Sequence, residues 1–189
     1  PADLSSSSVP ASSIVTYRFN PSKLNDSKVK FTWMDGGLRP SQPDQIKEDI
    51  GVGGILIYGE KGIISCNDYG TRAKLYIDGE VVETGNFDGI PSNSFNHYTS
   101  WVEAMVDGYG SDKHKNLNSG FDVAGPISEV VLLGNVAVRS GLLKRSPRSN
   151  VFIGRKRLDY DSKNMVITNF DQANQFLTRE YRKGWELNI

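Results

Sequence analysis

The stretch Phe121-Asp122-Val123-Ala124-Gly125-Pro126-Ile127-Ser128-Glu129-Val130-Val131-Leu132-Leu133-Gly134-Asn135-Val136-Ala137-Val138-Arg139 decides the reading of the fold. Its apolar residues recur at intervals of three and four, the period of a helix. They run most of the way round that helix and leave Ser128, Asn135 and Arg139 as a polar strip. The pattern predicts a helix capped by Asp122, closed by Gly141 and largely buried at the centre of the molecule. Gly134 in its middle costs about 1 kcal/mol relative to Ala. Close packing against a sheet accounts for a glycine there.

Upstream the period is two. Val15, Tyr17 and Phe19 alternate with Ile14, Thr16 and Arg18, and Val29, Phe31 and Trp33 alternate with Lys28, Lys30 and Thr32. This predicts two half-buried strands, with Asn20-Pro21 and Asn25-Asp26-Ser27 as turn residues between them. Asp35-Gly36-Gly37 stops the second strand, and Pro40 and Pro43 make an irregular excursion. Ile55–Tyr58 and Ile63–Cys66 predict a hairpin around Gly59-Glu60-Lys61-Gly62, followed by a strand with Ala73, Leu75 and Ile77 on one face and Asp78-Gly79 at its end. The period changes again near residue 97, where Trp101, Val102, Met105 and Val106 form a helix stripe expected to be core. Residues 108–120 are expected to be polar loop, 157–160 and 164–168 short strands, and 170–183 a last helix, with Thr168 and Asp171 as its capping box. Residues 1–12 are expected to be loop. Runs of strands followed by helices predict an α+β fold, a two-layer sandwich of a largely antiparallel sheet with helices on one face.

The charge balance narrows the function. The chain has 189 residues, with 22 Lys+Arg against 22 Asp+Glu. A nucleic-acid binder needs a basic excess to meet phosphates, so none is expected as a partner. Lys144, Arg145 and Arg148 and the run Arg155-Lys156-Arg157 are read as solvated loop charge. No apolar run is read as approaching the roughly 18–20 residues of a spanning helix, so no membrane is expected. With one cysteine, Cys66, and two histidines, neither a disulfide framework nor a usual structural zinc site is expected.

Catalytic motifs are equally sparse. Gly51-Val52-Gly53-Gly54 does not complete the dinucleotide fingerprint, because Leu56 stands where the third glycine is needed and no helix is expected to follow. No G-x-S-x-G elbow occurs. His97 at a helix entry is a general-base candidate but is more simply a packing or capping residue. Trp33 and Trp101 are assigned to core rather than to sugar stacking.

Phe121–Arg139 resembles the C-terminal region of the Gfo/Idh/MocA oxidoreductases, as do Asn164-Met165-Val166-Ile167-Thr168-Asn169, Arg179-Glu180-Tyr181-Arg182-Lys183-Gly184-Trp185 and Val29–Pro40. The resemblance covers nearly the whole chain in the family's order. It implies that residues 1–189 are a single partial C-terminal domain of substrate-binding and oligomerisation type, lacking the family's N-terminal nucleotide-binding domain, its Glu-Lys-Pro motif and its later His and Asp. A parent acting as an NAD(P)-dependent oxidoreductase on a sugar or sugar derivative follows. This chain by itself is expected to be inactive and to bind no cofactor or metal. The alternatives are an NAD-dependent glycosidase-like parent and a stand-alone glycan- or protein-binding module. The resemblance leaves Asp35, Arg39, His97 and Asp122 as pocket-side residues with no catalytic role. A bacterial parent, cytoplasmic or periplasmic, is implied. A homo-oligomer is expected through the open sheet face that carries Ile14, Thr16, Met34 and the charges Arg18, Lys28 and Lys30.

Overall fold

The computed structural model describes residues 10–23, 25–84 and 96–186. Residues 1–9 of the expected N-terminal loop lie outside the described residues. The fold is α+β with small antiparallel sheets and few helices. The strands form three sheets of two, four and two strands, where the sequence had predicted one broad sheet. The chain clusters into two compact units, one of residues 1–33 and 118–189, the other of residues 34–117.

In the first unit, β1 (Ile14–Phe19) pairs with β2 (Val29–Met34). Thr16 faces Thr32 across the pair, and Tyr17 stacks on Phe31 with ring centroids 5.4 Å apart. Partner numbers with a constant sum are what antiparallel pairing requires. Helix α3 (Phe121–Ser140) lies against β1. Beyond it, β7 (Tyr160–Asp161) and β8 (Val166–Ile167) pair antiparallel, and a 3-10 turn spans Asp171–Phe176. The core here is Ile167, Phe170 and Ala173, with Leu143, Ile153, Leu158, Tyr160 and Leu177 packed round it. Gly154 is required at this point, because a Cβ there would run into the Ser140 carbonyl.

The second unit is a meander in the order β3 (Ile55–Tyr58), β4 (Ile63–Cys66), β5 (Lys74–Ile77) and β6 (Glu80–Thr84). Asp78 and Gly79, at φ 52° and 82°, make the two-residue reversal between β5 and β6, where positive φ at both positions suits an Asp-Gly pair. Its core is Ile46, Ile63 and Tyr76. Tyr76 is thus the inward residue of β5, and Ala73, Leu75 and Ile77 alternate with it at intermediate exposure. The unit also holds α1 (His97–Asp107) and a one-turn helix α2 (Asp112–Lys115) inside the segment expected to be loop. The Ser111 side chain caps α2 by accepting from the His114 amide at 3.2 Å.

Several expectations are corrected. Helix α3 starts at Phe121 with Gly120 as its N-cap, so Asp122 sits in the first turn and is no cap. The helix is not buried: Gly134, Val136 and Ser140 are its buried residues, while Ile127, Val131 and Leu132 are about 60 % exposed. One stripe meets the rest of its unit, and a second apolar stripe, Val123, Ile127 and Val131, is left 45–62 % exposed by the described residues. This helix is also long and apolar enough to cross a membrane by length and composition alone. The expectation that no apolar run approaches that size does not hold. Trp101, Val102, Met105 and Val106 of α1 are likewise exposed, and only Ala104 is buried. Trp33 is not core either, at 53 % exposure. The last helix is the short 3-10 turn instead, and Thr168 does not cap it. Its hydroxyl donates to the Asp159 carbonyl at 3.1 Å.

Candidate functional site

The four residues expected near a pocket fall in separate local settings. Asp35 opens the turn after β2, where its carbonyl accepts from the Leu38 amide at 3.2 Å. Arg39 donates from Nη1 to the Gly51 carbonyl at 2.9 Å, and Asp49 Oδ1 accepts from the Gly51 amide at 2.6 Å. Arg39 therefore fastens the two ends of the excursion together. His97 is the first residue of α1 and is exposed. The cap beside it is Asn96, whose Oδ1 accepts from the amides of Tyr98 and Thr99 at 3.0 and 3.1 Å. Asp122 is exposed in the first turn of α3, where a carboxylate is favoured by the helix dipole. It belongs to the other unit from Asp35, Arg39 and His97. Gly51–Gly54 leads into strand β3 and not into a helix.

Two polar clusters that pattern reading missed are more organised. In the first, Lys74 Nζ donates to both carboxylate oxygens of Glu48 at 2.7 and 2.8 Å, and the Tyr76 hydroxyl donates to Glu48 Oε1. Lys74 first, then Tyr76, hold the Glu48 carboxyl below its ordinary range. Burial, then Glu48, push the Tyr76 hydroxyl up. Lys47 pairs with Glu80 at 2.9 Å on the rim, and a shallow depression of about 300 Å³ lies between these groups. Gln42 Nε2 donates to the carbonyls of Ile46 and Glu48, which holds the irregular excursion in place. The arrangement is a lock. Glu48 is held as an anion by donors from Lys74 and Tyr76, and the Tyr76 hydroxyl is pushed up, so this cluster is a structural tie more than a poised base or nucleophile at neutral pH.

In the second cluster, the Tyr160 hydroxyl donates to Glu129 Oε1 at 2.5 Å and ties β7 to the middle of α3. Burial, then Glu129, push the Tyr160 hydroxyl up to about 12. Next to it, Asp161 accepts from the Asn164 side chain at 2.6 Å and from the amides of Lys163 and Asn164. These bonds hold its carboxyl below the usual range. Asn169 and Arg157 close a further ring on Asp159. Both clusters join residues 26–33 positions apart, which no local motif would disclose. Among the described residues no three His, Cys, Asp or Glu side chains gather as a metal site. No protein-family model matches the chain, and no curated protein matches it.

Proposed function

We propose that this chain is the substrate-scaffold and assembly region of an NAD(P)-dependent oxidoreductase of the Gfo/Idh/MocA type, acting on a sugar or sugar derivative and working as a homo-oligomer. The observation that carries the reading is the pair of uncovered apolar helix faces. Val123, Ile127 and Val131 on α3, and Trp101, Val102 and Met105 on α1, are 45–62 % exposed at helical spacing. Contiguous apolar surface of that kind marks contact with another protein surface. Lipid is the poorer cover for α3. Its middle carries Glu129 bonded to Tyr160, and its last turn carries Arg139 with the guanidinium 4.5 Å from the Phe176 ring. Charged groups engaged with protein partners suit a helix embedded in protein. The open pair β1 and β2 adds Ile14, Phe31 and Trp33, all exposed.

The polar clusters support that division of labour. The two strongest, at Glu48 and Glu129, are bonded as structural fasteners. Hydride chemistry in this reading belongs to a cofactor held elsewhere in the enzyme. Calorimetric titration with NAD and with NADP tests that division. The expected result is no saturable heat up to millimolar cofactor, and saturable binding at micromolar concentration would overturn it.

A further inference from the structure

Between Ser140 and Leu158 the sequence places Lys144, Arg145, Arg148, Arg155, Lys156 and Arg157 with no acidic residue among them, in a chain whose charges balance overall. The fold places Lys144, Arg145 and Arg148 on one hairpin and Arg155, Lys156 and Arg157 directly after it. Lys144 bridges Phe152, Arg145 donates its amide to Val151 at 3.0 Å, and Ile153 donates to Leu143 at 2.8 Å. A turn round Pro147 closes it, with the Ser149 amide on the Ser146 carbonyl at 3.0 Å. All six cationic side chains belong to exposed residues. Arg157 pairs with Asp159 at 2.7 Å. Three of the others rest on rings: Arg155 and Lys144 lie 3.8 and 5.3 Å from the Phe152 centroid, and Lys156 lies 4.5 Å from that of Phe170.

Solvated loop charge spreads apart to relieve repulsion, whereas here two cations share one ring. Such contacts are worth only about 0.5–1 kcal/mol at exposed sites, but they hold the side chains in place before a ligand arrives, which lowers the entropy lost on binding. A guanidinium lying on a ring keeps its in-plane N–H groups free to fork onto a sulfate or carboxylate. From this we infer that the Lys144–Arg157 segment is a binding surface for an anionic polysaccharide bearing sulfate or carboxylate groups. A single-stranded nucleic acid fits less well, because its bases need open aromatic faces to stack on. Phe152 is occupied by Lys144 and Arg155, and Phe170 is only 7 % exposed. The choice of a glycan rests on the carbohydrate reading above, but its test needs no turnover and no cofactor, so failure here leaves that reading to stand or fall on its own titration.

The full chain is titrated with sulfated dextran, polygalacturonate, neutral dextran and a short single-stranded DNA at several salt concentrations. Binding to either anionic polysaccharide is expected, with the tighter of the two identifying the anion, and none to neutral dextran. The triple variant Arg145→Gln, Arg148→Gln, Arg155→Gln is expected to bind at least tenfold more weakly and with a shallower salt dependence. Arg148→Gln alone, at the exposed turn, is expected to weaken binding about threefold and guards against a folding defect in the triple. The control Lys23→Gln, Lys61→Gln, Lys115→Gln removes the same charge elsewhere and is expected to bind like the unaltered chain. Equal loss in that control, wild-type binding by both variants of the segment, tighter binding to DNA than to either polysaccharide, or no preference over neutral dextran would each overturn the inference.

Discussion

A Cβ built on Gly134 of α3 would stand 2.6 Å from the Tyr17 hydroxyl oxygen of β1, while the next ring atom, Cζ, is 3.9 Å away. The glycine is there to admit one oxygen atom. Gly134→Ala gains about 1 kcal/mol of helix propensity but must displace a hydroxyl whose ring is held by Phe31 and Phe19. The single variant is expected to be less stable by about 1 kcal/mol in chemical denaturation. In a Tyr17→Phe background the same change is expected to stabilise by up to about 1 kcal/mol. Equal effects in both backgrounds would contradict the contact.

Burial contrasts along the same helix give a second test. Val131 is 62 % exposed and Val136 is 6 % exposed. At concentrations low enough to keep the chain monomeric, Val131→Ser is expected to change stability by no more than about 0.5 kcal/mol, and Val136→Ala to cost about 1–3 kcal/mol. The reverse order would mean that α3 is rotated from the orientation described.

How far the sequence could be read is plain at this helix. Its near-continuous apolarity predicts burial, yet among the described residues of its unit the side that is covered carries Gly134 and Val136, while Ile127 and Val131 are about 60 % exposed. Periodicity reports which residues avoid water, not which partner covers them. The alternation of β1 and β2, the hairpin at Gly59–Gly62, the Asp78-Gly79 turn and the span of α1 were legible because each rests on neighbours in sequence. The final helix was not. Asn174 Oδ1 accepts from the Ile167 amide at 2.7 Å and its Nδ2 donates to the Ile167 carbonyl at 3.2 Å, a tertiary demand that the apolar spacing of residues 170–181 does not show. Of the candidate site residues, Arg39 was singled out, though its role in fastening Gly51 was not foreseen. Glu48 was passed over because its partners Lys74 and Tyr76 come from a strand 26–28 positions away.

Alkaline behaviour follows from Tyr160. Its hydroxyl titrates near 10 in the unfolded chain and is pushed up to about 12 in the fold. A folded value above the unfolded one means that its contribution is complete below pH about 10 and is lost as pH rises towards about 12. Tyr160→Phe is expected to flatten that part of the stability profile and, by removing a hydrogen bond to a carboxylate, to cost about 1–3 kcal/mol at neutral pH. An unchanged alkaline limb would assign the loss to other tyrosines such as Tyr17 and Tyr76, whose hydroxyls burial also raises.

On the acid side the excursion over the four-stranded sheet is the sensitive element. Lys74 and Tyr76 lower the Glu48 carboxyl from 4.5, so its contribution is present above that value and is lost as pH falls through the lower folded one. Glu48→Gln is expected to flatten the acid limb of the unfolding profile. Ile46, 2 % exposed beneath the same segment, is the packing counterpart. Ile46→Ala is expected to cost about 2–4 kcal/mol at every pH, so a pH-dependent loss in that variant would contradict this separation of roles.

The central claim is that the uncovered apolar faces are assembly surfaces. Sedimentation equilibrium of the full chain over a hundredfold range of concentration tests it most directly. The account predicts a mass that rises above the monomer's 20.9 kDa towards a multiple of it, and a shift back towards the monomer when Ile127 and Val131 of α3 and Trp101 of α1 are replaced by Glu. A mass fixed at 20.9 kDa throughout would contradict it.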